Sequence, residues 1–206
     1  MATKKKIGLF FGSFNPIHVG HLVIAEYMAE FTDLKQVWFV VSPQNPLKPS
    51  KSLLAENQRI KMVRMAIEYD NRFKASSVEF DMPRPSYTIN TLTYLSEKHP
   101  DTDFVLIMGM DNLATLQKWK NFEQILKSYQ VYVYPRKEVH PLPKEFEKHP
   151  SVKITEAPVM ELSSTFIRNS IKEKKEVRYM MPASVAEYVK EMHFYEERIP
   201  SSSKPE

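Results

Sequence analysis

Apolar positions along the chain keep two rhythms. Short runs such as Ile7 to Phe11, Val37 to Val41, Phe104 to Met108 and Val131 to Tyr134 predict strands buried on both faces. Between them, apolar residues recur every three or four positions. Leu22, Ala25 and Ala29 predict a helix over 18–31, and Ile60, Val63 and Ile67 predict one over 54–69. Ile89, Leu92 and Leu95 mark a third, and 111–126 reads as helical in one or two pieces. Short alternating strands are expected over 73–80. Prolines punctuate the pattern: Pro43, Pro46 and Pro49 exclude regular structure after the second strand, Pro83 and Pro85 force a loop, and Pro135 stops a strand.

Strands apolar on both faces, alternating with helices, predict an α/β fold: a Rossmann-like parallel sheet with helices on both faces. From about Leu162 the pattern becomes helical, so the C-terminal end is expected to be helical too. The length of 206 residues predicts one domain over 1–206, with 162–195 as its helical part and 196–206 as a loose tail. Pro182 to Met192 is the last expected helix, burying Val185 and Val189. Open parallel sheets bind ligands beyond their C-terminal strand ends. Gly12, Ser42 and Gly109 each follow a strand directly, so their loops are expected to meet at one crevice.

Composition removes several classes. Apolar residues are 42% and charged residues 26%, which fits neither a disordered chain nor a membrane protein. The chain shows no secretory signal pattern, and a cytoplasmic location is the expectation. The absence of cysteine excludes disulfides, thiolate catalysis and cysteine-based metal sites. A net charge of +4 suits anionic small molecules and is too weak to argue nucleic-acid binding. Glycine is scarce, four in the chain, and three of them are Gly8, Gly12 and Gly20. A chain this sparing keeps glycine where backbone must turn or lie close to something.

Two segments carry chemistry. Gly12-Ser13-Phe14-Asn15-Pro16-Ile17-His18-Val19-Gly20-His21 lacks the lysine of a P-loop and the spacing of a dinucleotide fingerprint. It still stands where a phosphate site belongs, between a strand and a helix whose first N–H groups favour anions. His18 and His21 share one face of the first turn, and Gly20 is expected to leave that surface open to close approach. Two such imidazoles can stabilise charge as a bond to phosphorus breaks. The second segment is Leu162-Ser163-Ser164-Thr165-Phe166-Ile167-Arg168. Ser163 or Ser164 can cap a helix, with Arg168 a turn later able to reach the same anion. Taken alone, a serine cap followed by an arginine is an ordinary helix start.

Together the segments resemble the HxGH and SxTxxR elements of the nucleotidylyltransferase superfamily. Class I aminoacyl-tRNA synthetases share the first element but carry KMSKS, which is absent here. Within the superfamily the chain resembles the bacterial nicotinate-nucleotide adenylyltransferases. The segments Pro46-Leu47-Lys48, Arg84 to Leu92, Gly109 to Leu113, Lys118-Trp119 and Pro135-Arg136 extend the likeness from about Ile7 to Tyr195. Two positions depart from it: Phe11 precedes Gly12 where a second glycine is common, and Asn15 stands where aspartate is common.

The resemblance implies roles. Gly12, Ser13, Phe14, His18, Gly20, His21, Gly109, Asp111, Ser163, Ser164, Thr165 and Arg168 would hold ATP, with His18, His21 and Arg168 acting in catalysis and Asp111 on a ribose. Asn45, Lys48, Tyr87, Thr88, Trp119 and Arg136 would hold nicotinate mononucleotide, with Tyr87, Thr88 and Trp119 around the pyridine ring. Mg2+ would ride on the ATP phosphates rather than in a protein cage. The expected reaction is adenylyl transfer from ATP to nicotinate mononucleotide, with no nucleic acid or membrane as partner and the oligomeric state not readable. The alternatives are an adenylyltransferase for nicotinamide mononucleotide or phosphopantetheine, and a non-catalytic nucleotide sensor.

Overall fold

A computed structural model describes residues 4–43, 53–137 and 144–197. Six parallel strands form one sheet: β1 (Lys5–Gly12), β2 (Gln36–Val41), β3 (Phe73–Ser76), β4 (Thr102–Gly109), β5 (Gln130–Tyr134) and β6 (Val152–Ile154). Their order is β3-β2-β1-β4-β5-β6. The order reverses between β1 and β4, which pair from Lys5↔Thr102 to Phe10↔Ile107. A crevice must open there, because the chain leaves β1 and β4 toward opposite sides of the sheet.

Alternation along each strand assigns side chains to two cores. Phe10, Phe39, Val105 and Ile107 face one side, where they meet α1 (Val19–Glu30), α2 (Glu56–Ala66), α7 (Ser164–Lys172) and α8 (Ala183–Glu191). Leu9, Trp38, Leu106 and Val133 face the other side, where they meet α3 (Thr88–Lys98), α4 (Met110–Leu113), α5 (Phe122–Ser128) and α6 (Lys144–Glu147). The expected parallel sheet, covered on both faces, is therefore the observed one.

Several local expectations are corrected. The stretch 73–80 holds one strand, ending at Ser76, whose Oγ accepts the Val78 N–H at 3.4 Å and bends the chain into a turn. The stretch 111–126 breaks into α4, a 3-10 turn at Leu116–Lys118, and α5, because Asn121 takes a left-handed conformation (φ 52°) before α5. β6 and α6 were not predicted. β6 is a three-residue edge strand with two exposed positions and offers no alternation to read. Most of the proline-punctuated loop (44–52) and the end of the expected tail (198–206) lie outside the described residues.

The loops above β1 and β2 are joined by one side chain. Arg59 of α2 is 1% exposed. Its Nε donates to the Leu54 carbonyl at 2.9 Å. Its Nη1 donates to the Ser13 and Ser42 carbonyls at 2.6 and 2.8 Å, and its Nη2 to the Pro43 carbonyl at 3.0 Å. Burial pulls its pKa down, with Glu56 opposing, yet the planar fork is matched by backbone oxygens on several sides. Replacing Arg59 by Met would strand four carbonyls, each costing ~1–3 kcal/mol when buried and unpaired. The expected loss is at least ~3 kcal/mol in urea unfolding, and Arg59→Lys should recover little because an ammonium cannot span the same acceptors. A lysine variant as stable as the parent would contradict this account.

Candidate active site

A cavity of about 690 Å³ opens at the C-terminal ends of β1 and β4. Its walls come from the loop and first turn of α1, the start of α3, the chain around α4, the end of β5 and the start of α7. Both sequence segments singled out for chemistry line it.

His18 is the N-cap of α1, in an extended conformation, and His21 is three residues on. Their rings stack with centroids 3.7 Å apart and planes 27° apart. The His18 N–H donates to His21 Nδ1 at 3.2 Å, so that nitrogen is unprotonated and a neutral His21 carries its proton on Nε2. Burial, reinforced by Arg136, lowers the His18 pKa to about 4. Burial, then His18, then Arg136 hold His21 well below the ordinary histidine value. Both imidazoles are therefore neutral donors at neutral pH.

The glycines make room for these rings, and both line the cavity. A Cβ on Gly20 would lie 3.0 Å from His18 Nδ1 and 3.1 Å from its Cε1, so Gly20 makes room for the neighbouring imidazole. A Cβ on Gly12 would lie 2.8 Å from Phe14 Cζ. Phe14, with φ 45°, folds its ring under that glycine, is 1% exposed, and stands edge-on to His21 at 5.1 Å. Its side chain thus supports the histidine. Ser13 lines the cavity while its carbonyl is held by Arg59.

The start of α7 is bonded to the same turn. Ser163 caps the helix, its Oγ accepting the Phe166 N–H at 3.2 Å. The Ser164 hydroxyl donates to the Pro16 carbonyl at 2.8 Å. Arg168 donates through Nη1 to the Asn15 carbonyl at 2.8 Å and through Nη2 to Thr165 Oγ1 at 3.2 Å. The Ser164 hydroxyl thus spends its proton on the backbone, while its own backbone N–H stands in the first turn of α7. Arg168 retains further N–H groups, and the first N–H groups of α7 have no intrahelical acceptor.

Across the cavity, Asp111 Oδ1 and Arg136 Nε form an ion pair at 3.5 Å. Gly109 does not line the cavity but lies beneath this pair: a Cβ there would run into Asp111 Oδ1 and stand 3.1 Å from Arg136 Nε. Among the described residues, His18 Nδ1, Asp111 Oδ1 and Arg136 Nε are the buried side-chain polar atoms without a hydrogen-bond partner. All three residues line this one cavity. Buried polar atoms are normally hydrogen-bonded; here Asp111 Oδ1 and Arg136 Nε face each other at ion-pair distance without a hydrogen bond and His18 Nδ1 has none, so the residues around this cavity keep unused polar capacity.

Tyr87, Thr88 and Trp119 also line the cavity. Tyr87 is the N-cap of α3, and its carbonyl takes the Asn90 and Thr91 N–H groups. The N–H groups of Thr88 and Ile89 are therefore left at the helix start. Trp119 is half-buried against the second core while also walling the cavity. Asn45 and Lys48 lie outside the described residues. Sequence reasoning missed Lys120, whose Nζ sits 4.4 Å from the Tyr87 ring centroid. It also missed Glu79, 2% exposed, which accepts from Ser86 Oγ at 3.1 Å and Thr91 Oγ1 at 2.7 Å. A glutamate among polar neighbours in a turn carries no sequence signal of burial.

The family model for cytidylyltransferase-like proteins matches residues 9–170. A Flavobacterium johnsoniae protein named "Probable nicotinate-nucleotide adenylyltransferase" is 53% identical over 92% of this chain and 98% of its own length. A protein of the same name from Bacteroides thetaiotaomicron is 43% identical over 92% and 93%. Among solved structures, Plasmodium falciparum nicotinic acid mononucleotide adenylyltransferase complexed with NaAD superposes with a TM-score of 0.79. It covers 93% of this chain and 97% of its own at 17% identity, a likeness of fold.

The depressed histidines have a consequence for stability. An unfolded His18 takes a proton near 6.5, the folded one only near 4. Between those values the unfolded state binds more protons, so stability is fully present above 6.5 and falls as pH drops toward 4. Imidazole NMR resonances of His18 should titrate near 4, and melting temperatures should decline from pH 7 to pH 5. A His18 titrating at 6.5 would contradict the buried geometry.

Proposed function

The chain belongs to the cytidylyltransferase-like family, and on that premise we propose that it transfers the adenylyl group of ATP to nicotinate mononucleotide, a step of NAD biosynthesis. The observation that carries the reading is the bonding of the two motifs into one cavity wall. Ser164 and Arg168 hold the turn that ends at the stacked pair His18 and His21. The curated relatives' shared name supports the acceptor.

In this reading a 5′-phosphate oxygen of the mononucleotide attacks the α-phosphorus of ATP. A new P–O bond forms, the bond from the α-phosphorus to the bridging oxygen breaks, and pyrophosphate leaves with that electron pair. The acceptor phosphate is itself the nucleophile, so the protein needs no covalent one. Its work is alignment and stabilisation of charge on the phosphoryl oxygens. The donors are the Nε2–H of neutral His21, the His18 imidazole, the remaining N–H groups of Arg168 and the first amides of α7. Gly12, Ser13, Phe14 and Gly20 shape that wall. Asp111 would take a ribose, and Arg136 would turn from Asp111 toward the mononucleotide. Tyr87, Thr88 and Trp119 would frame the pyridine ring, Asn45 and Lys48 completing the acceptor side.

Mg2+ would neutralise phosphate charge. Among the described residues no group of three or more His, Asp or Glu side chains could hold a metal ion, and the donors present fit a cation carried by phosphates and water. One domain would carry both substrates. No helix among the described residues is long and apolar enough to cross a membrane.

Pyrophosphate release, assayed with ATP against nicotinate mononucleotide, nicotinamide mononucleotide and phosphopantetheine, tests the reading. The acid should lead, because the free N–H groups at Thr88 and Ile89 match a carboxylate and would face the amide's own NH2. Comparable kcat/KM for acid and amide would remove the acceptor assignment and leave adenylyl transfer standing. His21→Ala should lower kcat by ~10², the order lost with one transition-state donor, with the fold intact. A folded variant with parental kcat would remove His21 from the chemistry.

A further inference from the structure

After α8 ends at Glu191, the chain reverses through two non-glycine residues with positive φ, His193 at 51° and Tyr195 at 68°. Left-handed backbone is unfavourable for an L side chain, so surrounding contacts must impose it. Phe194 supplies the anchor: it is 7% exposed, packs edge-on to Tyr188 at 5.5 Å, and its N–H reaches the Val189 carbonyl at 3.0 Å. The result is that the phenol of Tyr195 points back to a residue 180 positions earlier. Its hydroxyl donates to Asn15 Oδ1 at 2.9 Å.

Asn15 is 2% exposed and sits at a junction. Its Oδ1 also accepts the Leu54 N–H at 3.3 Å, and its backbone carbonyl accepts Arg168 Nη1 at 2.8 Å. We propose that Tyr195 is a positioning residue for nucleotide binding, fixing Asn15 and through it the guanidinium of Arg168 in the cavity that the two histidines also line. The inference rests on the adenylyl-transfer reading for its assay, and on the contacts alone for its geometry.

The division of labour favours this role over a purely structural one. The segment's place in the core is secured by Phe194, and the turn's main chain is already held by Arg59 at Ser13 and Ser164 at Pro16. What the Tyr195 hydroxyl adds is a second donor on Asn15 Oδ1, which fixes how that residue's own carbonyl is presented to Arg168. Burial raises the phenol pKa while the neighbouring Arg168 and Arg59 act in the opposite direction, so the hydroxyl stays a donor at neutral pH.

Tyr195→Phe keeps the ring and deletes only that donor. We expect kcat to fall about tenfold and the dissociation constant of α,β-methylene-ATP, read by calorimetry, to rise several-fold, with the mononucleotide KM unchanged. The melting temperature should stay within about 3 °C. In an Asn15→Ala background the same change should have almost no further effect, because the group through which it acts is gone. Parental kcat and analogue affinity would overturn the proposal. So would a full Tyr195→Phe effect without Asn15, or a lowered melting temperature with unchanged analogue affinity in the folded fraction. Absence of pyrophosphate release with any mononucleotide in the parent protein would sink the proposed function instead, while the analogue titration would still decide Tyr195.

Discussion

A guanidinium sealed beneath the cavity is the constraint on which the site depends. Arg59 faces carbonyls from the β1 loop, the β2 loop and the approach to α2. These loops leave the sheet at adjacent strand ends and have irregular backbone, so they lack partners of their own. One planar fork gathers them, and the charge makes each bond stronger than a neutral one. The acceptors bonded to it are carbonyls, with Glu56 adding a favourable field, so the positive charge is held mainly by dipoles whose positions it then fixes. The turn from Gly12 to His18 is held where it is because its Ser13 carbonyl is one of them.

On that fixed turn the two motifs become one unit. Pro16 and Asn15 offer their carbonyls outward, and Ser164 and Arg168 take them. Residues about 150 positions apart in sequence are thus connected directly, with |i−j| of 148 and 153. An arginine held at one nitrogen by a backbone oxygen is pre-organised for the others, so less side-chain freedom is lost when an anion arrives.

What could be read from the sequence follows from locality. Strand runs and helical stripes repeat within a few residues, so the α/β class, the sheet and its helices were legible. The histidine spacing was legible for the same reason: Val19 and Gly20 between His18 and His21 set a shared face. Contacts between distant residues leave no such trace. Arg59 lies among Ile60, Met62 and Val63 on an otherwise amphipathic helix, where an arginine normally points to water. Tyr195 and Glu79 are in the same position. Gly20 shows the subtler limit: its scarcity value was clear, but the His18 ring it makes room for could be seen only in the fold.

Burial first, and the cavity's positive charge second, explain why its histidines are neutral. Arg136 and Arg168 already line the wall, and each protonated imidazole would add a cation out of water beside them. Burial and Arg136 together make that unfavourable, so the empty cavity keeps its charge low and uses imidazole as an oriented dipole. The stacking of the rings demands the same, since two imidazolium ions 3.7 Å apart would repel. Arg136 and Arg168 are the cations of the cavity wall, and the two neutral imidazoles add hydrogen-bond donors to it without adding charge.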